Sequence, residues 1–254
     1  MPMSRVEFIK KLKALTFENT FNPYREKCRY FDADGAPVFR ERILSKMLER
    51  AESRQLDAIW VGRDLGHRGG RRTGLALTDD VHFHDHLARW QIEMPRPTSG
   101  KLMPERTATA VWDILSRVEA PVFLWNVFPL HPHEPNNPFS NRAHTAMERK
   151  AGGVLLERLI ELLRPRRLIG IGNDSFNTLI RLNIELPIIK IRHPSYGGQA
   201  EFKDQMTKLY HLKERDLFSP LIIDPQASIP PIVLDRPPAR VLRLLSLRLF
   251  LGRR

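Results

Sequence analysis

Asp57-Ala58-Ile59-Trp60-Val61-Gly62 runs straight into Arg63-Asp64-Leu65-Gly66-His67-Arg68-Gly69-Gly70-Arg71-Arg72-Thr73-Gly74-Leu75-Ala76-Leu77-Thr78, an apolar run opening into a loop of glycines and arginines. The run is near-continuous rather than alternating, the pattern of a strand covered on both faces. Three further segments read the same way: Pro121-Val122-Phe123-Leu124-Trp125-Asn126, Arg167-Leu168-Ile169-Gly170-Ile171-Gly172 and Leu186-Pro187-Ile188-Ile189-Lys190-Ile191. Helical spacing separates them. Ile43, Met47, Leu48 and Ala51 share a stripe over 39–54, as do Val111, Trp112, Leu115 and Val118 over 105–118. Val154, Leu155, Leu159, Ile160 and Leu163 mark a helix over 154–163. Asn173 and Asp174 are expected to cap a short helix reaching Leu182, and another helix is expected from near Gln199.

Strands alternating with helices predict an α/β protein, a three-layer α/β/α sandwich around a four-stranded, mainly parallel sheet. In such sheets ligands bind beyond the carboxyl ends of the strands. The polar clusters fall at those ends: Gly62-Arg63-Asp64, then Asn126, then Arg192-His193-Pro194-Ser195. Three stretches follow from this reading: an N-terminal helical segment over 1–54 packing on the core, the core itself over 55–215, and a Pro-rich, basic extension over 216–254.

Composition narrows the chemistry. The single cysteine, Cys28, excludes an internal disulfide and any multi-cysteine cluster built by this chain alone. No apolar run is long enough to span a membrane, and the first residues lack the apolar core of a secretory signal, so a cytoplasmic location is expected. A net charge of +12 favours a polyanionic partner, nucleic acid before an anionic membrane surface. Six arginines after Asp235 and no acid among them leave only +6 for residues 1–235. This leucine-rich tail has the composition of a helix that docks on the core, grips DNA backbone or touches lipid; docking fits its many apolar positions best.

Each polar cluster admits a local reading and a functional one. In the Gly62–Thr78 loop, exposed amides and Arg63, Arg68, Arg71 and Arg72 suit phosphate or a flipped nucleotide; a solvated surface loop is the alternative. Asn126, at the end of a buried strand, must pair its amide, either with local backbone or with a ligand. An amide offers one donor side and one acceptor side, so a ligand edge that satisfies it carries an acceptor beside a donor. His193 is a structural histidine or a hydrogen-bond donor to a leaving group.

The three clusters together resemble the uracil-DNA glycosylase superfamily over about 55–212. Gly62-Arg63-Asp64-Leu65-Gly66-His67 is similar to the family's Gly-Gln-Asp-Pro-Tyr-His, and Gly74-Leu75-Ala76-Leu77-Thr78 to its Gly-Leu-Cys-Phe-Ser. Trp125-Asn126-Val127-Phe128-Pro129 resembles the family's Asn-containing segment, and His193-Pro194-Ser195 its His-Pro-Ser loop. The resemblance implies that Asp64 orients water and stabilises the sugar cation. It implies that Asn126 reads the base and that His193 stabilises the departing base. Ser195, Tyr196 and Gly197, with Pro194, are then expected to pinch and wedge DNA.

Two departures stand out. Gly66 replaces the tyrosine that walls off uracil C5, and Leu77 replaces the aromatic that stacks on the base. Both imply a looser pocket, open to other damaged bases, with His67, His82 or Phe83 as candidates for the missing face. No cysteine follows Asn126, so the iron–sulfur cofactor of some relatives is not expected, and no other cofactor is.

Competing motifs are weaker. His82 and His86 have helical i,i+4 spacing, and His131 or His133 would have to complete a metal site, but no glutamate or cysteine partner accompanies them. Gly170-Ile171-Gly172 lacks the third glycine of a dinucleotide fingerprint. Ser175, at a helix start, is expected to meet a DNA phosphate instead. The expectation is a monomeric, metal-free, monofunctional DNA glycosylase that acts on uracil-containing or otherwise damaged DNA. The alternatives are a damaged-DNA-binding module of the same fold and a hydrolase of free nucleotides.

Overall fold

The computed structural model describes residues 3–213, so the expected C-terminal extension lies outside the described residues. Four parallel strands form the central sheet: β2 (Ala58–Asp64), β3 (Val122–Phe128), β5 (Arg167–Ile171) and β6 (Ile188–Ile191), in the order β3-β2-β5-β6. A short antiparallel pair, β1 (Thr20–Phe21) with β4 (His131–Pro132), joins the N-terminal segment to the loop after β3. The helices are α1 (Arg5–Ala14), α2 (Ala36–Glu52), α3 (Gly70–Thr73), α4 (Phe83–Arg89), α5 (Arg106–Leu115), α6 (Ala146–Leu163), α7 (Asn173–Arg181) and α8 (Gln199–Leu209).

Apolar side chains on both faces of the strands explain the layering. Ile59, Val61, Phe123, Trp125 and Val127 face a core built with α1, α2 and α6. Ala58, Trp60, Leu124 and Ile169 face a second one built with α5 and α8. The N-terminal segment takes part directly: Phe8 of α1 lies 5.6 Å, ring to ring, from Trp125 of β3. Several boundaries differ from the sequence reading, β2 among them, which runs through Arg63 and Asp64 rather than ending at Gly62. β3 runs two residues past Asn126, because Val127 and Phe128 are themselves fully buried and continue the ladder against β2. α6 begins at Ala146, eight residues before the expected start, where Thr145 and Glu148 close a capping box. Gly172, rather than Asn173 or Asp174, is the N-cap residue of α7. Among the described residues, no helix is long and apolar enough to cross a membrane.

Candidate active site

The carboxyl ends of β2 and β5 and the loop after β6 surround one cleft of about 630 Å³. Its lining includes Arg63, Asp64, Gly66, Leu77, His193, Ser195 and Tyr196 from the sequence reading, together with Glu105, Thr107, Asn141 and Arg142. Parallel strands bring these together because all four present their carboxyl ends on one side.

Asp64 closes β2, its carboxylate almost entirely withdrawn from water. Arg63 Nε donates to Oδ2 at 2.7 Å, and His144 Nδ1 bonds Oδ1. Both oxygens are thus fixed, while a carboxylate keeps lone pairs for a further donor such as water. His144 had no place in the sequence reading. The signal that could have found it is the Thr145-x-x-Glu148 capping box, which sets the start of α6 and so brings the preceding residue to the carboxyl end of the sheet.

Asn126 is 1% exposed and sits opposite Gly62 in the β2–β3 register. It lies behind the cleft wall rather than in it. A methyl group on Gly62 would overlap Asn126 Oδ1 and stand 3.0 Å from Leu77 Cδ2, so only glycine fits between the amide and Leu77. Neither Oδ1 nor Nδ2 of Asn126 has a hydrogen-bond partner within the protein. Two orphaned polar atoms on one buried residue are costly unless a ligand takes them up. Leu77 has left-handed backbone (φ 53°), and Trp112 Nε1 donates to its carbonyl at 3.1 Å.

His193 follows β6. Its Nδ1 accepts from the Ser195 backbone N–H at 3.1 Å. Burial, then the positive charges of Arg63 and Arg192, push its pKa down to about 4. The ring is therefore neutral at pH 7, with Nδ1 as acceptor and the proton on Nε2. Next to it, Tyr196 is fully exposed on left-handed backbone (φ 53°), and Gly197 continues the left-handed turn at φ 77°. Gly198 packs so tightly against the His193 carbonyl that no side chain fits there. Pro194 is buried beneath this loop.

Three expected DNA contacts are corrected. Arg71 and Arg72 are 4% and 6% exposed. The Arg71 guanidinium stacks 3.9 Å from the Phe21 ring centroid and bonds His131 Nδ1 at 2.9 Å. Arg72 stacks on Phe31 and donates to Asp80 at 2.6 Å. Both cations brace the loop from inside, held further by Arg40, which donates to the Arg72 carbonyl at 2.9 and 2.7 Å. Ser175 is fully buried with its hydroxyl unpaired, so it cannot reach a phosphate from this position. Arg68 is exposed.

The candidates for a base-stacking face also lie elsewhere. Phe83 is in the core, and His82 stacks on Trp112 while bonding Asp79 at 2.7 Å. His86 bonds Thr78 Oγ1 at 2.8 Å, so the histidines read as a possible metal pair have side-chain partners instead. His67 does not line the cleft; its backbone N–H donates to Asn141 Oδ1 at 2.9 Å. The aliphatic lining is Leu65, Leu77, Ala143 and Ile171. Among the described residues, no group of three or more His, Cys, Asp or Glu side chains is placed to hold a metal ion.

Glu105, also unforeseen, lines the cleft beside Gly66. Burial, then the nearby Asp79, raise its pKa to about 7. The Asp64 to His193 arrangement can steady a cation at one point and a developing anion at another, across a cleft of about 630 Å³.

The sequence model of the uracil DNA glycosylase superfamily matches residues 49–214. None of the curated proteins matches the chain in sequence. Among solved structures, the fold is similar to that of SMUG2 from Pedobacter heparinus, with 17% identity, a TM-score of 0.56, and coverage of 82% of this chain and 94% of that one.

Proposed function

This chain belongs to the uracil-DNA glycosylase superfamily, and from that premise we propose that it hydrolyses the N-glycosidic bond of uracil extruded from DNA, leaving an abasic site. The observation that carries the reading is the pair of orphaned polar atoms on buried Asn126, next to a cleft that also holds Asp64 and neutral His193. The Asn126 amide would accept from uracil N3–H and donate to O4. Cleavage of the C1′–N1 bond leaves its electron pair on the base and positive charge on the sugar. His193 Nε2–H donates to O2, where that negative charge gathers, and the Asp64 carboxylate steadies the sugar cation. Water held by Asp64 attacks C1′, and the proton it sheds balances the uracil anion. The arrangement needs no covalent intermediate on the protein.

Fully exposed Tyr196 is the wedge that would take the place of the extruded base. Arg68, rather than Arg71 or Arg72, is the loop cation free to meet phosphate. The test is single-turnover release of uracil from single-stranded and duplex oligonucleotides, with Asp64→Asn and His193→Ala beside the parent chain. Release by the parent and loss in both variants is the expected result; near-normal release in both variants would overturn the assignment. A parent chain that binds uracil-containing DNA without releasing the base would be a binding module instead.

A further inference from the structure

Glu105 is the N-cap residue of α5, yet its side chain makes no capping hydrogen bond. Its backbone N–H donates to Asp79 Oδ2 at 2.7 Å, while its carboxyl accepts no hydrogen bond and pairs with no cation among the described residues. The carboxyl rests against the glycine loop. A Cβ on Gly66 would stand 3.2 Å from Oε1, and one on Gly69 only 2.5 Å from Oε2. Glu105 therefore fills space that side chains at Gly66 and Gly69 would otherwise take, and it lines the cleft with Thr107 and Leu77.

A largely buried carboxyl without a partner is unfavourable in the free protein, and its pKa near 7 reflects that cost. Near neutrality it offers both an O–H donor and acceptor oxygens. If Asn126 meets the N3–H and O4 edge of the base and His193 meets O2, the edge left for the Gly66 wall is the one bearing C5, across the ring from C2. Unsubstituted uracil presents only C–H groups there and gives the carboxyl nothing to bond. A hydroxyl-bearing substituent on C5 would both donate to it and accept from it.

We propose that Glu105 is a specificity-determining residue whose carboxyl, with no side chain on Gly66 or Gly69 in the way, hydrogen-bonds polar substituents on the C5 edge of the extruded base and so favours hydroxylated pyrimidines over plain uracil. This rests on the glycosylase reading. A site that rejects an unpaired polar partner gains its discrimination from the group left unsatisfied, the logic by which hydrogen-bonding pockets separate close analogues.

The experiment compares single-turnover release of 5-hydroxymethyluracil and uracil from otherwise identical oligonucleotides. The parent chain, Glu105→Leu and Glu105→Gln are measured side by side, with thermal melting to check folding. The ratio of the two rates is expected to fall roughly tenfold in Glu105→Leu, the loss of one hydrogen bond, and to stay within about threefold of the parent in Glu105→Gln, which keeps a donor and an acceptor. Gly66→Ala, which inserts a methyl between carboxyl and base, should lower the ratio even if Glu105→Leu fails to fold. Uracil release with a ratio unchanged across the variants overturns the role of Glu105 and leaves the glycosylase reading standing. A parent chain that releases neither base overturns both.

Discussion

Replacing Asn126 by leucine separates a base-reading amide from a structural one. Leucine keeps the branching at Cγ and exchanges Oδ1 and Nδ2, both unpaired in the free protein, for methyl groups. Each buried unpaired polar atom costs about 1–3 kcal/mol, so removing two relieves about 2–6 kcal/mol. The methyls are bulkier than the atoms they replace and press toward Gly62, taking back about 1–3 kcal/mol. Taking the middle of each range, the expected balance is a gain of about 2 kcal/mol. For a folded region of this size, that is a rise of roughly 4–8 °C in Tm, or a higher urea midpoint at unchanged slope. Uracil release should fall by at least about 10²-fold, because both hydrogen bonds to the base edge are gone. The reasoning predicts opposite signs for stability and activity. A destabilised variant would mean that Asn126 pairs within the fold and serves the strand, and a stabilised variant with full turnover would mean that another group reads the base.

The remaining expectations concern the loops. The His193 ring should titrate near pH 4 by NMR and carry its proton on Nε2 at neutral pH; a midpoint near 6.5 would contradict its burial beside Arg63 and Arg192. Because its folded pKa lies below the unfolded value, the unfolded chain binds more protons between about pH 4 and 6.5. Its contribution to stability is therefore full above about 6.5 and is lost as pH falls through about 4. Arg71→Ala should destabilise by about 2–4 kcal/mol through lost stacking on Phe21 and an unpaired His131, leaving the salt dependence of DNA binding unchanged. Arg68→Ala should do the reverse, lowering the slope of log K against log salt by about one unit; equal effects of the two would refute the division between bracing and contacting cations. Tyr196→Ala should slow release from duplex far more than from single strands, since only the duplex needs its gap filled. Equal slowing on both substrates would remove the wedge role.

Most of the sheet was legible because its strands are buried on both faces and so must be apolar throughout, as the runs around Trp60, Leu124 and Ile169 are. The fates of charged residues were not. Arg68, Arg71 and Arg72 look equivalent in one loop, yet two of them turn inward because Phe21, Phe31 and Asp80 come from elsewhere in the chain to receive them. His144 is a related case: the adjoining Thr145-x-x-Glu148 box marks where α6 starts, but it does not name Asp64, eighty residues earlier, as the partner.

The order of residues along the chain therefore determined the layers of the protein and the ends of the strands where chemistry gathers, since periodicity and burial are local properties that a pattern can carry. Folding alone decided which polar side chains keep their hydrogen-bonding capacity for a ligand. The amide of Asn126 and the carboxyl of Glu105 are left without partners, while Arg71 and Arg72 turn inward and each make a hydrogen bond and a ring contact inside the fold. Satisfaction of a buried group depends on what the rest of the chain brings within about 3 Å of it, and that distance has no counterpart in one dimension.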